Sequence, residues 1–286
     1  RAFQMPAQQA LTPLLVPPSL LQRALAFSSS GMQAAIICGP ALGGLLYTFG
    51  PTVVYATCVA LLVLAGGLTL KVHYQHRVVV LAATLESVLA GFKFVWAHKV
   101  LLGATSLDLF AVLLGGATAL LPIYARDILH IGPVGLGVLR AAPAAGALLM
   151  SLALLRWPLT RHVGHRLLAA VGVFGLATVV FGLSESFVLS LIALVVTGAA
   201  DSVSVVTRMT LVQLETPDAM RGRVSAVNSI FIGASNQLGE FESGATAAAL
   251  GAVGSVVLGG VGTMAVAVGW FKLFPALARR DRMEPG

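Results

Sequence analysis

The sequence predicts an all-α membrane protein made of two helical bundles that run the same way through the bilayer. Three observations predict it. The first is composition: 57% of the 286 residues are apolar, mean hydropathy is +0.92 and only 10% are charged, far below the roughly 25% of a soluble domain. The second is division into apolar runs of bilayer length, and the third is an internal repeat.

A helix crosses the hydrocarbon core with about 20 residues. Runs long enough for this centre on 24–47, 52–70, 100–125, 134–155, 167–184, 187–214, 224–249 and 251–275, eight spans, and residues 1–16 read as the remaining half of another. The chain opens on Arg1 in mid-helix, without an initiating Met or a signal peptide, so it reads as truncated at its amino end. Between the fourth-residue-periodic runs, 71–99 holds a basic stretch and then VLAATLESVLAGFKFVWAHK. There Leu85, Val88, Leu89, Phe92 and Trp96 recur at helical spacing, with Glu86, Lys93 and Lys99 elsewhere. This predicts an amphipathic helix at the cytoplasmic interface, with an ordinary linker helix as the alternative.

Orientation follows from the short loops, because the cytoplasmic ones carry the excess of Lys and Arg. One alternate set of loops holds Arg23, Lys71, Arg77, Lys93, Lys99, Arg156, Arg161, Arg166, Arg221, Arg223, Lys272, Arg279, Arg280 and Arg282; the other holds Arg126. The first set, and the C-terminus with it, is therefore placed inside. The net charge of +7 is this bias and implies no nucleic-acid partner.

Cys38 and Cys58 lie in apolar spans without metal or disulfide spacing. His73/His76 and His162/His165 are spaced i,i+3, but in basic loops without acidic or Cys companions, so loop solvation is the reading rather than a metal site. No nucleophile–base pair, phosphate loop or metal cluster is visible, so neither an enzyme nor a cofactor is expected.

Displacing the sequence on itself by 200 positions aligns Pro17 with Pro217, Arg23 with Arg223, Ala26 with Ala226, Ser29 with Ser229, Ala34 with Ala234, Gly39 with Gly239 and Gly44 with Gly244, without a gap. Each copy is a span descending to the cytoplasm, a Pro-then-Arg turn, a small-residue-rich rising span and one further span. Like-oriented copies of this kind are the parallel repeat of a two-bundle transporter, related by a pseudo-two-fold axis. The second copy is preceded by three spans, so matching halves imply a parent of six plus six. The expected organisation is a bundle remnant over 1–70, a cytoplasmic linker over 71–99, a six-helix bundle over 100–275 and a cytoplasmic tail over 276–286.

At these residues the chain resembles the major facilitator superfamily, and within it the bacterial enterobactin-exporter-like efflux branch. AIICGPALGG at 35–44 resembles the fifth-helix antiporter motif, with Gly39, Pro40, Gly43 and Gly44 in place and Ala35 where glycine is usual. TPDAMRGRVSAVNS at 216–229, with Pro217, Arg221 and Arg223, resembles the loop between the tenth and eleventh helices, and GFKFVW at 91–96 fits the approach to the seventh. RHVGHR at 161–166 is the second-half counterpart of the signature loop, keeping Gly164 and basic residues but lacking the acidic one. The resemblance implies a major facilitator fold lacking helices 1–3 and part of 4. It also implies that the fifth-helix motif seals the outer side when the cavity opens inward.

The residues of that motif have a physical reading of their own. Pro40 cannot donate to the carbonyl of Ile36, so the helix bends, and Gly39 and Gly43 at GxxxG spacing allow close approach of a neighbouring backbone. A packing kink without directional meaning is the alternative.

Ionisable groups inside the bilayer are costly and mark cavities or ion paths by default. In 187–214, Thr197, Asp201, Ser204 and Arg208 fall within about 60° on one stripe, with Arg208 roughly 10 Å nearer the cytoplasm than Asp201. Asp108 lies about 12 Å into the span 100–125, so an Asp108–Arg208 pair is expected at one depth. Arg1 corresponds to Asp201 under the offset and would face it across the pseudo-two-fold axis. The family fold puts the charge-bearing fourth, seventh and tenth helices around the central cavity and the uncharged sixth, ninth and twelfth toward lipid. A static salt bridge is the competing reading; Arg126 and Arg140 are expected as interfacial anchors.

The span 224–249 is polar on two faces. Ser229, Gly233, Asn236, Gln237, Glu240 and Gly244 share one, and Asn228, Ser235, Gly239, Glu242 and Thr246 share the other. Few directions remain for lipid, which suits a helix at the bundle junction. Glu240 lies about 24 Å along from the inside, in the outer third, a place for proton uptake from outside or for simple hydration at the rim.

The expected function is secondary active transport by alternating access: export of a small molecule (a drug, siderophore or metabolite) driven by inward proton flow, by a monomer in a bacterial inner membrane. Asp108, Asp201 and Glu240 are the expected proton carriers, Arg208 the counter-charge, and Gln33, Gln213 and Asn236 polar contacts to cargo. Uptake or uniport by the same fold, and a non-transporting membrane scaffold, are the alternatives.

Overall fold

The computed structural model describes residues 15, 18–71, 85–157, 159 and 161–282, all helix and turn. Proline and glycine punctuate it. α1 (Pro18–Tyr47) ends in a turn at Gly50, whose φ of 103° suits glycine, and α2 (Pro51–Leu70) starts on Pro51, where a missing N–H costs nothing. α3 (Leu85–Ala97) is separated from α4 (Lys99–Leu114) by His98 in an extended conformation. The α4 span continues through a 3-10 turn, Ala117–Leu120, and a π turn, Tyr124–Ile128. α5 (Pro133–Arg156), α6 (Val163–Leu183) and α7 (Phe187–Glu215) follow. The segment Asp218–Leu273 is two helices, α8 (218–250) and α9 (252–273), meeting at Gly251 with φ 74° and ψ 166°. α10 (Pro275–Ala278) closes the tail.

Among the described residues six segments are long and apolar enough to cross a membrane: Pro51–Leu70, Lys99–Ile128, Pro133–Arg156, Val163–Leu183, Phe187–Glu215 and Met220–Leu273. The last contains both 224–249 and 251–275, split by Gly251. The run 24–47 lies in α1, a 30-residue helix. The expected half-span 1–16 (but for Leu15), Arg1 and the pair His73/His76 lie outside the described residues.

Lipid tails are as apolar as leucine, so helices in a bilayer associate through close backbone packing at small residues. α5 and α7 do this. A Cβ on Gly146 would fall 1.9 Å from the Val195 carbonyl oxygen, and one on Gly198 would fall 1.8 Å from that of Pro143. α4, α6, α8 and α9 complete the bundle around buried Leu107, Leu167, Leu211 and Phe181. Buried polar groups are tied across it: Trp270 Nε1 donates to Gly103 O at 3.0 Å, and the Tyr124 hydroxyl to Gly182 O at 2.8 Å.

α1 packs along α5, and the contact corrects the sequence reading of the glycine motif. Gly39 and Gly43 have no neighbour within 4 Å of a would-be Cβ. The close approach is made by Gly44, whose Cβ would lie 2.4 Å from Pro133 O, and by the Pro40 carbonyl, 2.5 Å from a Cβ on Gly137. The face that meets α5 runs through Pro40, Ala41 and Gly44, at positions i, i+1 and i+4 of one helical stripe, with Gly43 lining the adjoining crevice. α3 lies across the start of α8, where a Cβ on Gly91 would meet Arg223 O at 2.7 Å and Phe92 stacks on Phe231 at 5.8 Å. α3 buries Gly91 and Val95 (4% exposed) on α8, whereas Leu89, Phe92 and Trp96 of the expected apolar stripe remain exposed.

Candidate functional site

α4 and α7 supply the charged centre. One helical stripe of α7 carries Thr197, Asp201, Ser204 and Arg208, and α4 turns Thr105 and Asp108 toward it. Arg208 Nη1 lies 2.5 Å from Asp108 Oδ2, with both side chains about nine-tenths buried, and Arg208 Nε donates to Ser204 O at 3.3 Å. A buried ion pair persists only when its geometry and supporting hydrogen bonds offset the loss of water. Asp201 is half-buried one to two turns away, close enough to interact electrostatically with both partners.

Two cavities meet at Asp201. One, of about 140 Å³, runs from the Asp108–Arg208 pair to Asn228 and Asn236 on α8. The other, of about 210 Å³, continues from Asp201 and Asn236 past Thr197, Thr178 and Gly116 to Glu240. Asp201 and Asn236 line both, so a chain of polar groups runs along the bundle from Arg208 to Glu240. A void lined by carboxylates, an amide and hydroxyls offers water the two to four partners it needs. The two voids lie in a surrounding of valine, leucine and phenylalanine.

The remaining site residues fall as follows. Asn236 is exposed at the cavity mouth, its Nδ2 donating to Ile232 O at 2.8 Å, and Glu240 is exposed one turn on. Gln33, half-buried on α1, and Gln213, exposed on α7, line neither cavity. Gln213 is five residues beyond Arg208, so at 100° per residue it points off the stripe and outside both cavities. Pro217 sits at the N-cap of α8, with Arg221 and Arg223 exposed in its first turns. Arg126 is exposed and pairs with Asp127 at 2.7 Å, while Arg140 lines the crevice between α1 and α5 with Gly44 and Gly137.

The two-faced helix 224–249 resolves into a packed row and an open row. Ser235, Gly239 and Ser243 are buried against α4, with a Cβ on Gly239 2.9 Å from Val112 O. Asn236, Gln237, Glu240 and Gly244 form the exposed row. Beside Gly251, Ser255 Oγ donates to Ser243 O at 3.0 Å and meets Thr246 Oγ1 at 2.7 Å, tying α8 to α9 across the break. Thr105 and Thr178 are cavity-lining residues that sequence reasoning passed over. Thr105 was findable, being one turn from Asp108 on the same face; Thr178 sits in an otherwise apolar helix and carried no signal.

The described helices thus form a bundle of bilayer-length segments with an internal ion pair and polar cavities. The profile of the Major Facilitator Superfamily matches residues 1–240, and the chain belongs to that family. The chain is 29% identical over 263 residues to an enterobactin exporter, EntS, of Escherichia coli O1:K1 / APEC, and equally to that of Citrobacter koseri. These alignments take in 89% of this chain and 58% of the exporters, so the chain spans a little over half the length of the curated relatives it matches. Its fold matches a solved structure described as that of a bacterial metal transporter, with a TM-score of 0.65 at 15% identity over 93% of this chain and 68% of that one. The protein is thus a multi-pass, non-enzymatic membrane protein of the facilitator type, with distant similarity to an exporter.

Proposed function

We propose that the protein takes part in proton-coupled export of a small molecule across a bacterial inner membrane, by alternating access between two bundles related by a pseudo-two-fold axis. In this reading 1–70 belongs to the first bundle, 71–99 is the cytoplasmic linker, 100–275 the second bundle and 276–286 the tail. The observation that carries it is the continuous polar route from Glu240 through Asn236 and Asp201 to the Asp108–Arg208 pair.

Chemically, each carboxylate on the route binds or releases a proton, and the Arg208 guanidinium, which keeps its charge, holds the inner carboxylates in place. A proton entering at Glu240 passes by Asp201 to Asp108; protonated Asp108 no longer balances Arg208, so the pair loosens and the cavity becomes a place for an anionic or polar cargo group. Likeness to the enterobactin exporters supports the outward direction and makes a siderophore the first cargo to try, ahead of drugs and metabolites.

The test is transport in proteoliposomes under an imposed pH gradient, with Asp201→Asn and Glu240→Gln beside Asp127→Asn. Loss of proton-driven cargo movement in the first two and its retention in the third support the reading. Retained coupling in both site variants overturns the route. Cargo movement that dissipates its own gradient but ignores the pH gradient replaces export with uniport, and no movement of any cargo leaves a scaffold.

A further inference from the structure

The tail gathers charge at the Arg-rich end of the second bundle. Leu277 and Ala278 are buried against α6, and Leu277 O would lie 1.9 Å from a Cβ on Gly164. Gly164 N donates to Arg280 O at 2.9 Å, Val163 N to Asp281 O at 3.2 Å and His162 N to Asp281 Oδ1 at 3.0 Å. The first N–H groups of α6, which have no partner within their helix, are thus capped by the tail. Arg280 reaches Glu215 of α7 at 2.5 Å, and the His165 ring meets Phe271 of α9 at a 59° tilt with centroids 5.6 Å apart.

The consequence is electrostatic. Both nearby carboxylates are engaged, Glu215 by Arg280 and Asp281 by the His162 backbone. Arg161, Arg166, Lys272, Arg279 and Arg282 are all exposed, each within two residues of these contacts and, among the described residues, none in an ion pair with a carboxylate. Exposed apolar side chains border them: Trp157 at 73%, Leu273 at 66% and Phe271 at 43%. Cations beside an aromatic and aliphatic rim, at the ends of bilayer-length helices, match the polar and acyl parts of a lipid.

We propose that this tail-assembled basic cluster binds the headgroups of anionic phospholipids in the leaflet at the Arg-rich end. A zwitterionic headgroup carries the same phosphate but offsets it with its own cation, so the cluster selects by net charge. Each Lys or Arg near an anionic surface contributes about fivefold in affinity, and the attraction decays within a Debye length of about 8 Å at physiological salt. The inference is independent of cargo and coupling.

The test is native mass spectrometry of the detergent-purified protein titrated with phosphatidylglycerol or phosphatidylcholine, for the parent chain, Arg279→Gln/Arg282→Gln and, as a control at the other end, Arg126→Gln. Expected are preferential phosphatidylglycerol adducts on the parent and the control, and a loss of roughly 25-fold in the double variant. Thermal unfolding in detergent alone, unchanged in the double variant, shows that the fold persists. Equal binding of the two lipids, or an unaltered preference in the double variant, overturns the proposal. Removal of the adducts by millimolar inorganic phosphate also overturns it, in favour of a site for a soluble anion.

Discussion

Removing the carboxylate of Asp108 strands the most buried cation of the site, and the structure sets what this costs. At 2.5 Å and an effective dielectric of about 20, the gross attraction is roughly 6–7 kcal/mol, most of it spent on desolvating both groups. Asp108→Asn leaves the Arg208 guanidinium buried with one hydrogen bond to Ser204 O and the more distant Asp201 carboxylate as its remaining counter-charge, so the cost is at most about 3–5 kcal/mol, that of a broken buried pair. Arg208→Gln costs less, because a lone carboxylate escapes by binding a proton whereas a guanidinium does not shed one. The double variant Asp108→Asn/Arg208→Gln leaves only the Asp201 carboxylate, which can bind a proton, so it is no worse than Asp108→Asn, and the coupling is about 2–3 kcal/mol. The assay is thermal or denaturant unfolding of the detergent-purified protein, read by fluorescence of Trp96, Trp157 and Trp270. Additive single effects, with coupling below about 0.5 kcal/mol, or a milder effect for Asp108→Asn than for Arg208→Gln, refute the reasoning.

Further outcomes follow from the packing. Gly198→Ala places a Cβ 1.8 Å from Pro143 O and destabilises by about 1–3 kcal/mol or more, whereas Gly39→Ala, with nothing within 4 Å, stays within about 0.5 kcal/mol; thermal unfolding separates them. Gly251→Ala forces an alanine to φ 74° and ψ 166°, a region open essentially to glycine, at a cost of about 1–3 kcal/mol in the same measurement. Trp270→Phe leaves Gly103 O without its 3.0 Å donor and costs about 1–3 kcal/mol. Ending the chain after Leu273 removes the acceptors for His162, Val163 and Gly164, and hydrogen exchange at those amides accelerates while that of mid-α6 amides is unchanged.

The sequence by itself determined the membrane class, the run lengths, the loop-charge bias and the stripe of α7, because hydropathy and a 100° period are local properties a chain carries unfolded. The sequence also carried the expectation that Asp108 and Arg208 share a depth, since rise per residue is fixed. Tertiary structure decided what depends on a neighbour's shape. It turned Gly44 rather than Gly39 or Gly43 into the closest α1–α5 approach and joined Asp201 to Asn236 in two adjoining voids. It also brought the tail onto Gly164, where a carbonyl from more than a hundred residues away occupies the space a side chain would fill. Helical period tells which residues share a face; only packing tells which face meets another helix, because many rotations of an apolar helix bury nearly the same area in lipid and differ only in backbone approach.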